Sequence, residues 1–246
     1  MKYAMLIDQT KCIGCGACTV ECKGKYEASF GVLRTEMKKY ESGSFPNVKL
    51  RYKKHACMHC FVAACEEICP VDAIWHVEGE NGGMVEIDKE TCIGCGACVT
   101  ACPFDVPVLD PEDDNNSEKC SFCAFRVVEG KSTYCAEACP VGAILFGERE
   151  DLIAAGESRV SDLQAAGHDK AHLYGKEDTG VLILIDEDYD VYDLVAEGFT
   201  LSSIGWRALG SYGSLAVAAA IGGIGYRVVK NRLEEISREK EEGTKA

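Results

Sequence analysis

The chain has 246 residues, a net charge of −14 from 40 acidic against 26 Lys and Arg residues, and 16 cysteines. A hydrophobic share of 47% is enough to build a core, which excludes general disorder and a mini-protein held only by disulfides. So acidic a chain carries no broad basic footprint, and nucleic acid is excluded as a partner.

In chain order, the apolar segment YAMLID from Tyr3 runs into Cys12, Cys15, Cys18 and Cys22, a C-x2-C-x2-C-x3-C group. Its first residues hold no basic region, long apolar run and small-residue cleavage site in succession, so no secretory signal of its own is expected. The second group is Cys57, Cys60, Cys65 and Cys69, followed by Pro70. Short alternating segments on either side of Asn81-Gly82-Gly83 then predict a β-hairpin leading to the third group. That group is Cys92, Cys95, Cys98 and Cys102, followed by Pro103. The fourth is Cys120, Cys123, Cys135 and Cys139, followed by Pro140, and no cysteine is left over.

The third group with its proline is the bacterial ferredoxin run that holds [4Fe–4S] cubanes. A cubane needs one thiolate per iron, and C-x2-C-x2-C wraps three corners in a short loop. Glycines at 14, 16, 94 and 96 permit that tight backbone. The fourth cysteine points away and ligates the neighbouring cluster. Structural zinc and a disulfide framework are the alternatives. Zinc prefers two CxxC pairs separated by a longer spacer, which four thiolates within eleven residues fit poorly. His55 and His59 flank Cys57 and are read as residues beside a cluster rather than metal ligands. Arg126 and Lys131, between Cys123 and Cys135, are read either as charges that raise a cluster potential or as ordinary surface residues.

An internal repeat indicates which groups pair. Cys69-Pro70-Val71-Asp72-Ala73-Ile74 recurs as Cys139-Pro140-Val141-Gly142-Ala143-Ile144. Ile87-Asp88, four residues before Cys92, recurs as Ile7-Asp8, four residues before Cys12. The second and third groups therefore form one ferredoxin unit. The first and fourth form another around it, with the strand after Ala143 expected beside the strand around Leu6. Four clusters follow. Cluster A takes Cys12, Cys15, Cys18 and Cys139; cluster B takes Cys120, Cys123, Cys135 and Cys22. Cluster C takes Cys57, Cys60, Cys65 and Cys102; cluster D takes Cys92, Cys95, Cys98 and Cys69.

Beyond residue 146, residues 147–167 predict a surface helix with apolar Leu152, Ile153, Val160 and Leu163, although Gly156 falls inside it. Val181–Ile185 predicts a buried strand, and the acidic stretch from Asp186 to Asp193 a solvated loop. From Ala208 to Tyr226 there are 19 residues without a charge, between Trp206 and Tyr226, long enough for a transmembrane helix. A buried soluble helix is the alternative. Ser214, Ala218 and Gly222 form a small-residue face for packing against another membrane helix. No Lys or Arg lies between Lys176 and Arg207, whereas the tail carries Arg227, Lys230, Arg232, Arg238, Lys240 and Lys245. The positive-inside rule then puts the tail in the cytoplasm and the cluster domain on the outer, periplasmic face of the cell membrane. Export would depend on a partner with a twin-arginine signal.

The fold expected is α+β: two interleaved bacterial-ferredoxin-like units with a C-terminal transmembrane helix. The expected divisions are 1–146 for the four-cluster domain, 147–206 for a connecting segment, 207–230 for the span and 231–246 for the charged tail. No nucleotide-binding glycine fingerprint follows a strand, so no substrate site of its own is expected.

The stretches KCIGCGACTVEC, HACMHCFVAACEEICP, ETCIGCGACVTACPF and KCSFCAFRVVEGKSTYCAEACPVGAILFG, with AHLYGKEDTGVLILI, resemble a known family. They are similar to the four-cluster iron–sulfur subunit of complex iron–sulfur molybdoenzymes, particularly the β subunit of respiratory formate dehydrogenase. The resemblance implies an electron-transfer role without catalysis by this chain. It also implies a molybdenum or tungsten pterin catalytic subunit on one side and a membrane cytochrome b or quinone-reactive subunit on the other. A similar anchored subunit serves nickel–iron hydrogenases, and the subunits of other molybdoenzyme reductases share the cysteine pattern; a free ferredoxin-like carrier and an independent enzyme are the readings from other classes.

Overall fold

The computed structural model describes residues 1–26 and 28–198. The expected span 207–230 and tail 231–246 lie outside the described residues. Among the described residues, no helix is long and apolar enough to cross a membrane.

The elements run β1 (Tyr3–Asp8), α1 (Ala17–Lys25), β2 (Thr35–Ser42), β3 (Lys49–Ala56), α2 (Ala64–Glu67), β4 (Ile74–His76), β5 (Val85–Ile87) and α3 (Ala97–Ala101). They continue with β6 (Val108–Asp110), β7 (Asn116–Glu118), α4 (Ala124–Val127), α5 (Tyr134–Glu137), β8 (Ile144–Glu148), α6 (Arg149–Ala165), β9 (His172–Tyr174) and β10 (Val181–Ile185). A four-stranded sheet in the order β8-β1-β10-β9 organises the unit of the first and fourth cysteine groups. β1 and β8 are antiparallel with Leu6 opposite Leu145, the pairing that the repeat implies. β10 runs parallel to β1, with Leu6 opposite Leu182, and β9 closes the edge with Leu173 opposite Leu184.

Strand alternation divides the apolar side chains between two layers. Met5, Ile7, Val181, Ile183 and Ile185 face inward with Phe122, Val127, Ile144 and the buried sulfurs of Cys18 and Cys135. Ala4, Leu6, Leu182 and Leu184 face the other way and meet Leu152 and Leu163 of α6. All five residues of β10 are buried, because both faces of the sheet are covered there; this explains its unbroken VLILI run. Gly156 lies inside α6 where the helix approaches β9. A Cβ built on it would stand 2.9 Å from Leu173 Cδ2, so its lack of a side chain serves close packing.

The unit of the second and third groups is held by the expected hairpin, β4 against β5, with Ile74 opposite Ile87 and His76 opposite Val85. Ile74 and Val85 pack on Ala63 and Cys98. A longer hairpin, β2 with β3, pairs Thr35 with Ala56 through Ser42 with Lys49. The acidic stretch is not wholly solvated. Asp186 and Glu187 accept hydrogen bonds from the buried Arg51, and Tyr192 is buried in the core.

Candidate metal centres

The approaches to the first and third cysteine loops are built the same way. Asp8 ends β1 and turns its carboxylate onto the N–H of Thr10 at 3.0 Å; Asp88 follows β5 and does the same for Glu90 at 3.0 Å. Gly14 and Gly16 then take left-handed φ values of 68° and 73°, matched by 64° and 73° at Gly94 and Gly96. A side chain would be strained at these four positions, and Gly16 and Gly96 lead directly into α1 and α3, which carry Cys18 and Cys98.

The sequence-distant cysteines come together. One cavity is lined by Cys12, Cys15, Cys18 and Cys139, and a second by Cys22, Cys120, Cys123 and Cys135. A third is lined by Cys69, Cys92, Cys95 and Cys98. Cys57, Cys60, Cys65 and Cys102 are neighbours as well: burial pushes the Cys60 thiol up, and the sulfurs of Cys57, Cys102 and Cys65 add to that rise. No cysteine is in a disulfide.

In each of the four sets a backbone N–H donates to a sulfur. Ala143 reaches Cys139 at 3.2 Å and Ala73 reaches Cys69 at 3.3 Å, both across the Cys-Pro-Val-x-Ala turn. His59 reaches Cys57 at 3.4 Å and Phe122 reaches Cys120 at 3.4 Å, both two residues on. Ser117 Oγ adds a contact to Cys98 Sγ at 3.2 Å. The amide donors favour thiolate over thiol, while burial opposes it. Burial pushes Cys22 and Cys65 up to about 12 and Cys102 and Cys123 up to about 11. Thiols this reluctant to ionise need a metal charge to become thiolates. Four sulfurs in apolar walls, with amide donors aimed at them, fit iron–sulfur ligation.

The sets also follow one another. Cys135 of the second set is among the sulfurs that raise Cys18 of the first. Cys120 acts likewise on Cys57, and Cys98 on Cys65. The neighbour order is therefore Cys18's set, Cys22's set, Cys57's set, Cys69's set.

Two family models match, both described as a 4Fe–4S dicluster domain, over residues 4–70 and 48–149. The formate dehydrogenase-O iron–sulfur subunit of Escherichia coli (strain K12) is 36% identical over 189 residues, covering 70% of this chain. The chain spans 62% of that relative's length. The NrfC homolog of Haemophilus influenzae is 36% identical over 163 residues, 65% of this chain and 71% of that protein. The thiosulfate reductase electron transfer subunit PhsB of Salmonella typhi is 36% identical over 183 residues, 72% of this chain and 93% of its own length. The chain belongs to the 4Fe–4S dicluster family that includes these iron–sulfur subunits. The resemblance to formate dehydrogenase iron–sulfur subunits, read from the cysteine stretches, is thus found among the relatives of this dicluster chain.

Within the dicluster frame, His59 is fully buried, its Nδ1 accepting from the Val85 N–H at 3.0 Å and its ring edge-on to Phe122. Burial, then Lys119 and Lys54, hold its pKa well below the ordinary value, so the ring is neutral. His55 Nε2 donates to the Asp105 carbonyl at 3.2 Å. Arg126 stacks 4.0 Å from the Tyr134 ring centre and pairs with Glu137, while Lys131 pairs with Glu129 on the surface. Beside the cysteine sets, sequence reasoning missed two buried cations, Lys119 and Lys54. Lys119 donates to the carbonyls of Val85 and Cys120. Lys54 is buried beside four sulfurs: burial lowers its pKa, but Cys135, Cys120, Cys18 and Cys22 outweigh this and hold it above the ordinary value. The only local signal for Lys54 is its place three residues before Cys57.

Proposed function

We propose that this chain carries four [4Fe–4S] clusters and relays electrons between a molybdenum or tungsten pterin catalytic subunit and a membrane cytochrome b or quinone-reactive subunit. The ligand sets are Cys12, Cys15, Cys18 and Cys139 for cluster A, and Cys22, Cys120, Cys123 and Cys135 for cluster B. Cys57, Cys60, Cys65 and Cys102 hold cluster C, and Cys69, Cys92, Cys95 and Cys98 hold cluster D. The observation that carries this reading is the unbroken neighbour order of four cysteine sets, since a row of one-electron carriers needs a donor at one end and an acceptor at the other. When bound, the clusters supply reversible one-electron chemistry. The chain's own residues hold them in file, donate amide hydrogen bonds to their sulfurs and surround them with mostly apolar side chains.

Formate is the substrate class favoured for the catalytic subunit, on the relatives named as formate dehydrogenase subunits. Residues 207–230 form a single membrane anchor, the domain 1–146 with its connecting segment 147–206 lies on the periplasmic face, and the tail 231–246 is cytoplasmic. The charge asymmetry about the span supports that orientation. Purification of the complex that contains this chain tests the proposal. A large subunit with molybdenum or tungsten pterin, and bleaching of the clusters by formate, is the expected result. Nickel in the large subunit would instead place the chain in a hydrogenase.

A second reading is the equivalent subunit of a reductase. The 93% coverage of the thiosulfate reductase electron transfer subunit favours it. Reoxidation of the reduced complex by thiosulfate, with no response to formate, would select it.

A further inference from the structure

We propose that Lys54 is one cation shared by clusters A and B, raising the reduction potentials of both. The inference rests on the ligand sets proposed above. Lys54 is 5% exposed and lines both cavities, that of Cys12, Cys15, Cys18 and Cys139 and that of Cys22, Cys120, Cys123 and Cys135. Strand alternation puts it there. Successive side chains of β3 leave on opposite faces, so Lys53 reaches the carbonyls of Tyr192 and Asp193 while Lys54 turns to the sulfurs.

No ion pair or hydrogen bond among the described residues involves the Lys54 ammonium. A buried ammonium without counter-charge is strongly unfavourable, so evolution of an apolar or neutral residue would be the cheaper way to fill this space. The available counter-charges are the cysteine sulfurs. A cubane held by four thiolates becomes more negative by one unit on reduction, and a nearby cation in a weakly polar interior favours the reduced state. One side chain between two sites acts on both in the same direction. The cavity of Cys69, Cys92, Cys95 and Cys98 has no charged residue in its lining, so cluster D receives no such aid.

Redox titration followed by electron paramagnetic resonance tests this on the cluster-loaded full chain and its Lys54→Gln, Lys54→Met and Lys54→Arg variants. Cys139→Ser and Cys22→Ser identify the signals of clusters A and B. In the two neutral variants the potentials of A and B are expected to fall together while that of D stays fixed; the Arg variant, which keeps the charge, stays near the unsubstituted chain. Failure of both neutral variants to load A and B, with the Arg variant fully loaded, equally supports a required cation. Unchanged potentials, or a fall at one site alone, overturn the role of Lys54. An unsubstituted chain that binds too little iron for four cubanes overturns the ligand sets themselves, and the shared cation with them.

Discussion

Arg51 and Asp186 form a two-pronged ion pair, Nε to Oδ1 at 2.9 Å and Nη2 to Oδ2 at 3.2 Å. The pair ties β3 to the end of β10, 135 residues further along the chain. Glu187 takes a third guanidinium hydrogen bond at 3.0 Å, and the Tyr192 hydroxyl donates to Asp186 at 2.5 Å. The long hairpin that carries Lys54 is thereby fastened to the central sheet.

Replacing Asp186 by Asn leaves Arg51, 8% exposed, short of its main counter-charge, and a loss of about 3 kcal/mol is expected. Burial pushes the Asp186 carboxyl up, but the hydrogen bonds from Arg51 and Tyr192 outweigh it and leave it below the ordinary value. A carboxylate depressed in the folded state stabilises fully above its unfolded pKa, near 4, and loses that contribution as pH falls through the folded value. Denaturation followed by fluorescence should therefore show a constant gap between native and variant above about pH 5. The gap narrows below that.

Replacing Cys22 by Ser should remove cluster B and spare cluster A, although Cys22 belongs to the first sequence group. About four fewer iron atoms per chain are expected. Retention of the Cys12 set's signal checks the exchange of ligands, and loss of that signal instead would refute it.

Gly94→Ala and Gly16→Asn should differ. Gly94 has φ of 64°, and a Cβ there would stand 2.8 Å from the Asn115 carbonyl oxygen, which is backbone and cannot give way. A cost of about 1–3 kcal/mol and poor loading of cluster D are expected. Gly16 has φ of 73° but open space around it, and Asn tolerates the left-handed region, so loading of cluster A should persist. Iron content of the two variants decides.

Gly156→Val should destabilise α6 by overpacking Leu173, at about 1–3 kcal/mol. The Cβ alone would lie within 3.0 Å of both Leu173 methyl carbons. Thermal unfolding of the variant measures the loss; added stability would show that the helix can shift off the sheet.

Truncation before Trp206 should leave iron content intact and abolish membrane attachment. Cell fractionation with iron analysis checks both. Loss of clusters would make the C-terminal segment part of the core.

The cysteine groups, their glycine turns and the Cys-Pro-Val-x-Ala-Ile repeat were legible because each is a local constraint. The four cysteines of each group lie within 11 to 20 residues, with the tight turns and the amides aimed at sulfur close beside them in sequence. The β4–β5 hairpin was legible for the same reason, and the repeat carried its logic to the distant pairing of Leu6 with Leu145. The helix and the buried strand after residue 146 were also readable, from their apolar periods. What the sequence could not give was their placement. A strand such as β10, apolar on every residue, states that both faces are covered but not which strand lies beside it; its insertion next to β1 depends on packing over the whole sheet. The acidic stretch looked solvated because its partner, Arg51, is 135 residues away. Lys54 was invisible for the deepest reason. Alone in a sequence a lysine reads as surface, since burying its charge is costly, and only the fold brings together the four sulfurs that make that burial sustainable.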